Sequence, residues 1–181
     1  MTAESRRAVL LDRDGTVIPD VGYLRDAAQV ELLPNAADAL AALAQRGYLL
    51  VLVSNQSGIG RGWITPQEAS EVHRRFVAEL AAAGVVLDAA YYCPHAPNAG
   101  CSCRKPQPGL LLDAAREHGI DLHHSIMIGN SATDIDAGRA VGAFTILLGA
   151  HGAADPQAAD AVAGGWDEVC DIVAGQTPGR V

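Results

Sequence analysis

The run Tyr48-Leu49-Leu50-Val51-Leu52-Val53 is apolar at every position, so a strand formed there has no face that can meet water. Strands of that kind belong to parallel sheets, whose crossover connections lay helices over both faces. The run stops abruptly at the polar turn Ser54-Asn55-Gln56-Ser57-Gly58. The same pattern recurs along the chain. Ala8-Val9-Leu10-Leu11 gives way to Asp12-Arg13-Asp14-Gly15-Thr16, and Asp88 to Cys93 runs into a loop that extends to Pro108. Ser125-Ile126-Met127-Ile128 ends at Gly129-Asn130, and Ala143 to Leu148 makes a fifth strand.

Helical signals fill the gaps. Asn35 reads as the N-cap, and Gly47 as the C′ residue, of an alanine- and leucine-rich helix. Thr65-Pro66-Gln67-Glu68 is a capping box with proline at the first helical position, and Val72, Phe76 and Leu80 then recur at four-residue spacing up to Gly84. Further helices are expected from about Gly109 to His118, from Ser131 to Gly142 and from Trp166 to Ala174. Alternation of this kind predicts an α/β fold, a doubly wound, mostly parallel open sheet forming a single domain over residues 1–181. Such sheets bind ligands at the carboxyl ends of their strands. Asp12, Ser54 and Asn130, with Lys105 in the loop after another strand, are therefore expected to meet at one sheet edge.

Composition narrows the partners. A formal net charge of −8 over 181 residues argues against a nucleic acid or an anionic membrane, which would call for a basic face. The first residues hold neither a signal h-region nor a membrane span, so a cytoplasmic location is expected, and a monomer.

The converging residues suggest a chemistry. An aspartate nucleophile suits phosphoryl transfer through an aspartyl-phosphate, which divides one hard step into two easier ones. Its neighbour Asp14 is then placed to give a proton to the leaving alkoxide and take one from water. Ser54 and Lys105 would hold the transferring oxygens, and Mg2+ would let an anionic carboxylate approach an anionic phosphate. The loop after the third strand carries a separate signal. Cys93-Pro94-His95 followed by Cys101-Ser102-Cys103 supplies three sulfurs and one imidazole, enough for a closed tetrahedral zinc site of structural type. Arg104 and Lys105 follow Cys103 directly, so such a site would brace two cations. His73, His118, His123, His124 and His151 show no comparable partners in sequence and read as surface or helix-end residues.

Asp12-Arg13-Asp14-Gly15-Thr16, Ser54 to Gly58, Cys103-Arg104-Lys105-Pro106 and Ile128-Gly129-Asn130 through Asp134 resemble, in order and spacing, the four motifs of the haloacid dehalogenase (HAD) superfamily of phosphatases. Residues 8–150 are similar to the branch that holds heptose 1,7-bisphosphate and histidinol-phosphate phosphatases. Gly22-Tyr23, Asn55 to Ile59 with Arg61-Gly62, and Arg104-Lys105-Pro106 with Pro108-Gly109 look more like the heptose enzymes. The resemblance implies a Rossmann-like core with a minimal cap, and the same zinc loop. It also implies Asp12 as nucleophile, Asp14 as acid/base, and Ser54 and Lys105 as phosphate-binding groups. Substrate contacts are expected from Asp20, Val21, Gly22, Tyr23, Asn55, Gln56, Ser57, Arg104 and Ser131, and magnesium at Asp12, Asp14 and residue 130. The implied activity is hydrolysis of a small phosphorylated sugar, a heptose bisphosphate first, with histidinol phosphate or another small ester as the alternative.

One position departs from that pattern. Where the family carries Gly-Asp, this chain has Gly129-Asn130, a neutral amide in place of the third magnesium carboxylate. Three origins compete: a substitution introduced to weaken metal binding, a natural variant that tolerates it, or a homologue that binds its ligand with little or no turnover. Asp134, one helical turn onward, is a candidate to help hold the metal.

Overall fold

The computed structural model describes residues 5–149 and 158–175. His151 lies outside them. Six parallel strands form one sheet in the order β3-β2-β1-β4-β5-β6. They span Ala8–Leu11 (β1), Leu49–Asn55 (β2), Ala89–Cys93 (β3), Ile126–Gly129 (β4), Phe144–Leu148 (β5) and Ala161–Ala163 (β6). Helices α1 (Ala36–Gln45), α2 (Ser57–Gly60), α3 (Pro66–Ala82), α4 (Gly109–His118), α5 (Ala132–Ala140) and α6 (Trp166–Gly175) occupy the connections.

Two apolar cores sandwich the sheet, as the fully apolar strands require. Val9, Leu11, Leu50 and Leu52 pack with Leu40 and Leu43 of α1, Phe76 and Leu80 of α3, and Trp166 and Val169 of α6. Their strand neighbours Ala8, Leu10, Val51 and Val53 face the other way, onto Leu110, Leu111 and Ala114 of α4 and Ala137 of α5. Alternate side chains point to opposite faces, so a run with no polar member is what a sheet buried twice demands.

The Thr65 capping box forms as its sequence predicts, with Thr65 Oγ1 accepting from the Glu68 N–H and Glu68 Oε2 accepting from the Thr65 N–H. Asn35 takes the expected N-cap position of α1, its carbonyl accepting from the Ala39 N–H at 3.0 Å, but in an unexpected form. Its backbone is left-handed, with φ of 62°, and its side chain makes no capping bond. Asparagine is among the few side chains that tolerate this region, so Asn35 opens the helix through its backbone and not through a side-chain cap. The fifth strand is not the last. Strand β6 is only three residues long and carries no periodic pattern to mark it. It is fixed by Asp160, whose carboxylate accepts from both the backbone N–H and the hydroxyl of the buried Thr145.

No helix among the described residues is long and apolar enough to cross a membrane.

Candidate active site

Strand β1 ends in the sheet's interior, between β2 and β4, and there the apolar run gives out at Asp12. Because this end is enclosed on both sides, Asp12 is buried and needs a partner. Lys105 provides it from the loop between β3 and α4. Its ammonium donates to Asp12 Oδ1 at 2.7 Å and to the Val53 carbonyl at 2.7 Å, and lies 2.6 Å from Asp134 Oδ1. All of these groups are almost fully buried. Burial raises the Asp12 pKa to about 7, with the nearby Asp134 charge adding to the effect and Lys105 opposing it. Burial also works against the Lys105 charge. There, however, two carboxylates outweigh it, and the pKa stands above the usual lysine range.

The loop that carries Lys105 is clipped to strand β2. Asn55 accepts from the Lys105 N–H through Oδ1 (3.1 Å) and donates from Nδ2 to the Lys105 carbonyl (3.0 Å). The Lys105–Pro106 peptide is cis.

Asp14 is held in a different way. Arg13 grips it with two bonds, Nε to Oδ1 at 3.1 Å and Nη2 to Oδ2 at 3.0 Å, and Gln56 Nε2 adds a third at 2.7 Å. The same Gln56 amide donates to Ser54 Oγ at 3.0 Å. Ser54 is buried and lies behind the residues that line the cleft. Arg13 sits 5.9 Å from the centroid of the Tyr92 ring, and Tyr92 in turn bonds His73 Nδ1 at 2.8 Å. His73 is therefore not a free surface residue. His118 likewise meets Tyr91 (3.1 Å) and His124 meets Asp121 (2.9 Å), all away from the cleft lining. The partners of His73 and His118 come from β3 and are supplied only by the folded chain, whereas His124 is an exposed residue bonded to its near neighbour Asp121.

Asp134 takes a larger part than its sequence position suggests. One carboxylate oxygen faces Lys105, while Oδ2 accepts from the Ser131 N–H (3.0 Å) and the Ser131 hydroxyl (2.6 Å). Gly129 makes room for it. A Cβ there would stand 2.3 Å from the Asp134 carboxyl carbon. Both oxygens thus meet protein groups, and the charge of Asp134 is paired with Lys105. The signal for Asp134 was present as the fourth residue of Ser131-Ala132-Thr133-Asp134, which reads first as a helix cap.

Above Asp12 opens a cleft of about 370 Å3. Asp12, Asp14, Asp20, Gly22, Tyr23, Asn55, Gln56, Ser57, Arg104, Lys105, Asn130 and Ser131 line it, together with Asp134, which the sequence offered only as a helper to the metal, and Gly58 and Thr133, which sequence reasoning had not assigned to the site. Val21 is absent from the lining and is 57% exposed. Arg104 presents an Nη1 that is buried without a hydrogen-bond partner.

The cysteine–histidine loop folds as one knot beside the cleft. The donor atoms of Cys93, His95, Cys101 and Cys103 all lie within 4.8 Å of one another. His95 Nδ1 is 3.2 Å from the Cys103 sulfur and 3.5 Å from the Cys93 sulfur. Burial pushes the Cys93 thiol up to about 12, its hydrogen bond with Cys103 adding to the shift.

An aspartate at the end of the first strand, an invading lysine and a carboxylate below it, on a parallel sheet of order 3-2-1-4-5-6, define a HAD-type hydrolase. A HAD-hydrolase-like family model matches residues 102–176. The relatives are more specific. A D-glycero-β-D-manno-heptose-1,7-bisphosphate 7-phosphatase of Photorhabdus laumondii subsp. laumondii is 44% identical over 137 residues, 72% of this chain and 73% of that protein. One of Vibrio cholerae is 40% identical over 151 residues, 80% of this chain and 81% of the relative. Among solved structures, D,D-heptose 1,7-bisphosphate phosphatase from B. bronchiseptica, complexed with magnesium and phosphate, superposes with a TM-score of 0.84 at 31% identity. The match covers 94% of this chain and 99% of that one. The chain belongs to the heptose-bisphosphate phosphatase family of HAD-type phosphatases.

Proposed function

We propose that this phosphatase removes the 7-phosphate of a D-glycero-D-manno-heptose 1,7-bisphosphate through an aspartyl-phosphate on Asp12. The observation that carries the reading is the buried Lys105 bridge between Asp12 and Asp134, opening into a cleft with a second cation, Arg104, at its wall. Lys105 occupies Asp12 Oδ1, which leaves Oδ2 to attack phosphorus while the bond to the sugar oxygen breaks. Asp14 protonates the departing alkoxide. It then takes a proton from the water that attacks the aspartyl-phosphate, releasing orthophosphate and restoring Asp12. Arg13 and Gln56 hold Asp14 in place for both transfers. Lys105 offsets charge on the transferring group, and Ser54 supports it through Gln56. Arg104 answers the substrate's other phosphate.

Asp12, Asp14 and Asn130 form an oxygen-only donor set that suits a hard cation such as Mg2+, which when bound would neutralise charge between carboxylate and phosphate. Asn130 contributes no charge to it, and the charge of Asp134 is paired with Lys105, which supports a second reading in which turnover is slow. Three cysteine sulfurs and a histidine nitrogen within one small sphere suit a structural Zn2+. The expected working form is a cytoplasmic monomer.

The test is phosphate release from heptose 1,7-bisphosphate and histidinol phosphate across a magnesium titration, beside Asp12→Asn. Turnover of the heptose above the variant's background, with the 7-phosphate lost, supports the reading. Preference for histidinol phosphate moves the substrate to the alternative, and no release from either rejects hydrolysis.

A further inference from the structure

The cleft mouth carries an exposed aromatic group that the chemistry above does not use. Tyr23 is the single aromatic side chain among the lining residues, and it is 44% exposed. Its ring meets Trp63 edge to face, with centroids 4.6 Å apart and an interplanar angle of 86°. Trp63 is 50% exposed, stands outside the cleft lining, and has the Arg61 guanidinium 4.7 Å from its ring centroid. An exposed tryptophan beside a cleft, packed on a tyrosine and covered by an arginine, contributes little to a core.

The turn after α2 is shaped to hold this group. The Gly58 carbonyl accepts from both the Trp63 and Ile64 N–H groups, at 2.9 and 3.1 Å, which pins the base of the tryptophan. Gly58 also lacks the atom that would collide with Tyr23. A Cβ at residue 58 would stand 2.8 Å from Tyr23 Cδ1 and 2.7 Å from Ile64 Cδ1. Tyr23 is thus confined by Gly58 and by Trp63, while the loop that bears it makes few bonds of its own beyond the Asp20 carboxylate capping the Gly22 N–H at 2.8 Å.

Resting on the heptose-phosphatase reading, we infer that Trp63 is a positioning residue for substrate selection. With Arg61 it holds the Tyr23 ring against the cleft as an apolar contact for the carbon skeleton of the phosphorylated sugar. Apart from Gly22 and Gly58, the rest of the lining is carboxylate, amide, hydroxyl and cation. Those groups recognise phosphates and hydroxyls, whereas the C–H face of a sugar has only Tyr23 to meet. A small phosphorylated compound without a sugar skeleton, such as the acyl phosphate acetyl phosphate, bypasses this contact.

The experiment compares Trp63→Ala and Trp63→Phe with the natural protein on heptose 1,7-bisphosphate and on acetyl phosphate. Trp63→Ala is expected to raise KM for the sugar about three- to tenfold, the equivalent of one lost edge-to-face aromatic pair, with kcat little changed. Acetyl phosphate should keep its kcat/KM, and Trp63→Phe should restore most of the sugar KM. The chain has two tryptophans, and the buried Trp166 reports by its fluorescence that each variant is folded. An unchanged sugar KM in Trp63→Ala overturns the inference, as does an equal loss on both substrates. Wild-type turnover of the heptose decides the substrate reading by itself. The variant-to-wild-type KM ratio, taken on whichever sugar phosphate is turned over, decides the role of Trp63.

Discussion

The two candidate cation sites of this protein are built in opposite ways. The cysteine–histidine loop gathers its donors from one stretch, Cys93 to Cys103, and needs little of the sheet beyond an anchor at the end of β3. The carboxylate site draws Asp12 from the end of β1, Lys105 from the loop before α4, and Asn130 and Asp134 from the end of β4 and the start of α5. The first is a local device that stiffens a loop; the second exists only when the sheet is complete. Damage to the loop should therefore act first on stability, and damage to the carboxylate site first on turnover.

The sharpest break between the two is Asp12→Asn, expected to lower kcat by about four orders of magnitude or more while the protein stays folded, read by phosphate release and circular dichroism. Lys105→Met blurs the boundary, because it leaves Asp12 and Asp134 buried without their cation. A loss of about 100- to 1,000-fold in kcat is expected, together with about 3–5 kcal/mol of stability in denaturant titration. In the loop, Cys103→Ser or zinc chelation should cost about 3 kcal/mol, seen as a lower melting temperature, with activity falling only as Arg104 and Lys105 lose their brace. Loss of activity without loss of stability would show that the loop serves chemistry and not folding.

Smaller effects probe the carboxylate site alone. Asn130→Asp adds a carboxylate charge to the donor set, so the magnesium concentration for half-maximal activity should fall about tenfold. Equal or weaker dependence would place the cation elsewhere. Protonation should act in the other direction. Burial holds the Asp12 pKa at about 7 instead of the ordinary 3.8, so cation binding must displace a proton near neutrality. Apparent magnesium affinity is expected to decline as pH falls through that value and to level off above it, measured by calorimetry with proton release followed in two buffers.

Much of the fold was legible because its signals are local. A strand apolar at every position can only lie between two layers, and Thr65 with Glu68 caps a helix wherever it forms. The edge strand β6 was not, since three residues fastened through the adjoining Asp160 to the remote Thr145 leave no periodic trace. Asn35 was legible as the N-cap but not in its form, because one residue type favours both side-chain caps and left-handed turns, and only the backbone angle separates them.

The site divides in the same manner. Sequence alone offered Asp12, Asp14 and Lys105 as candidates, through their strand-end positions and the family resemblance, and all four sulfur and nitrogen donors of the loop, through residue type at short spacing. It also exposed the missing charge at Asn130. Tertiary structure decided what those groups do to one another: that Lys105 spans two carboxylates, that Asp134 spends both oxygens on protein, that Arg13 and Gln56 grip Asp14, and that Trp63 backs Tyr23. Burial and distance between remote segments govern those relations, and neither quantity is defined until the sheet has closed over them.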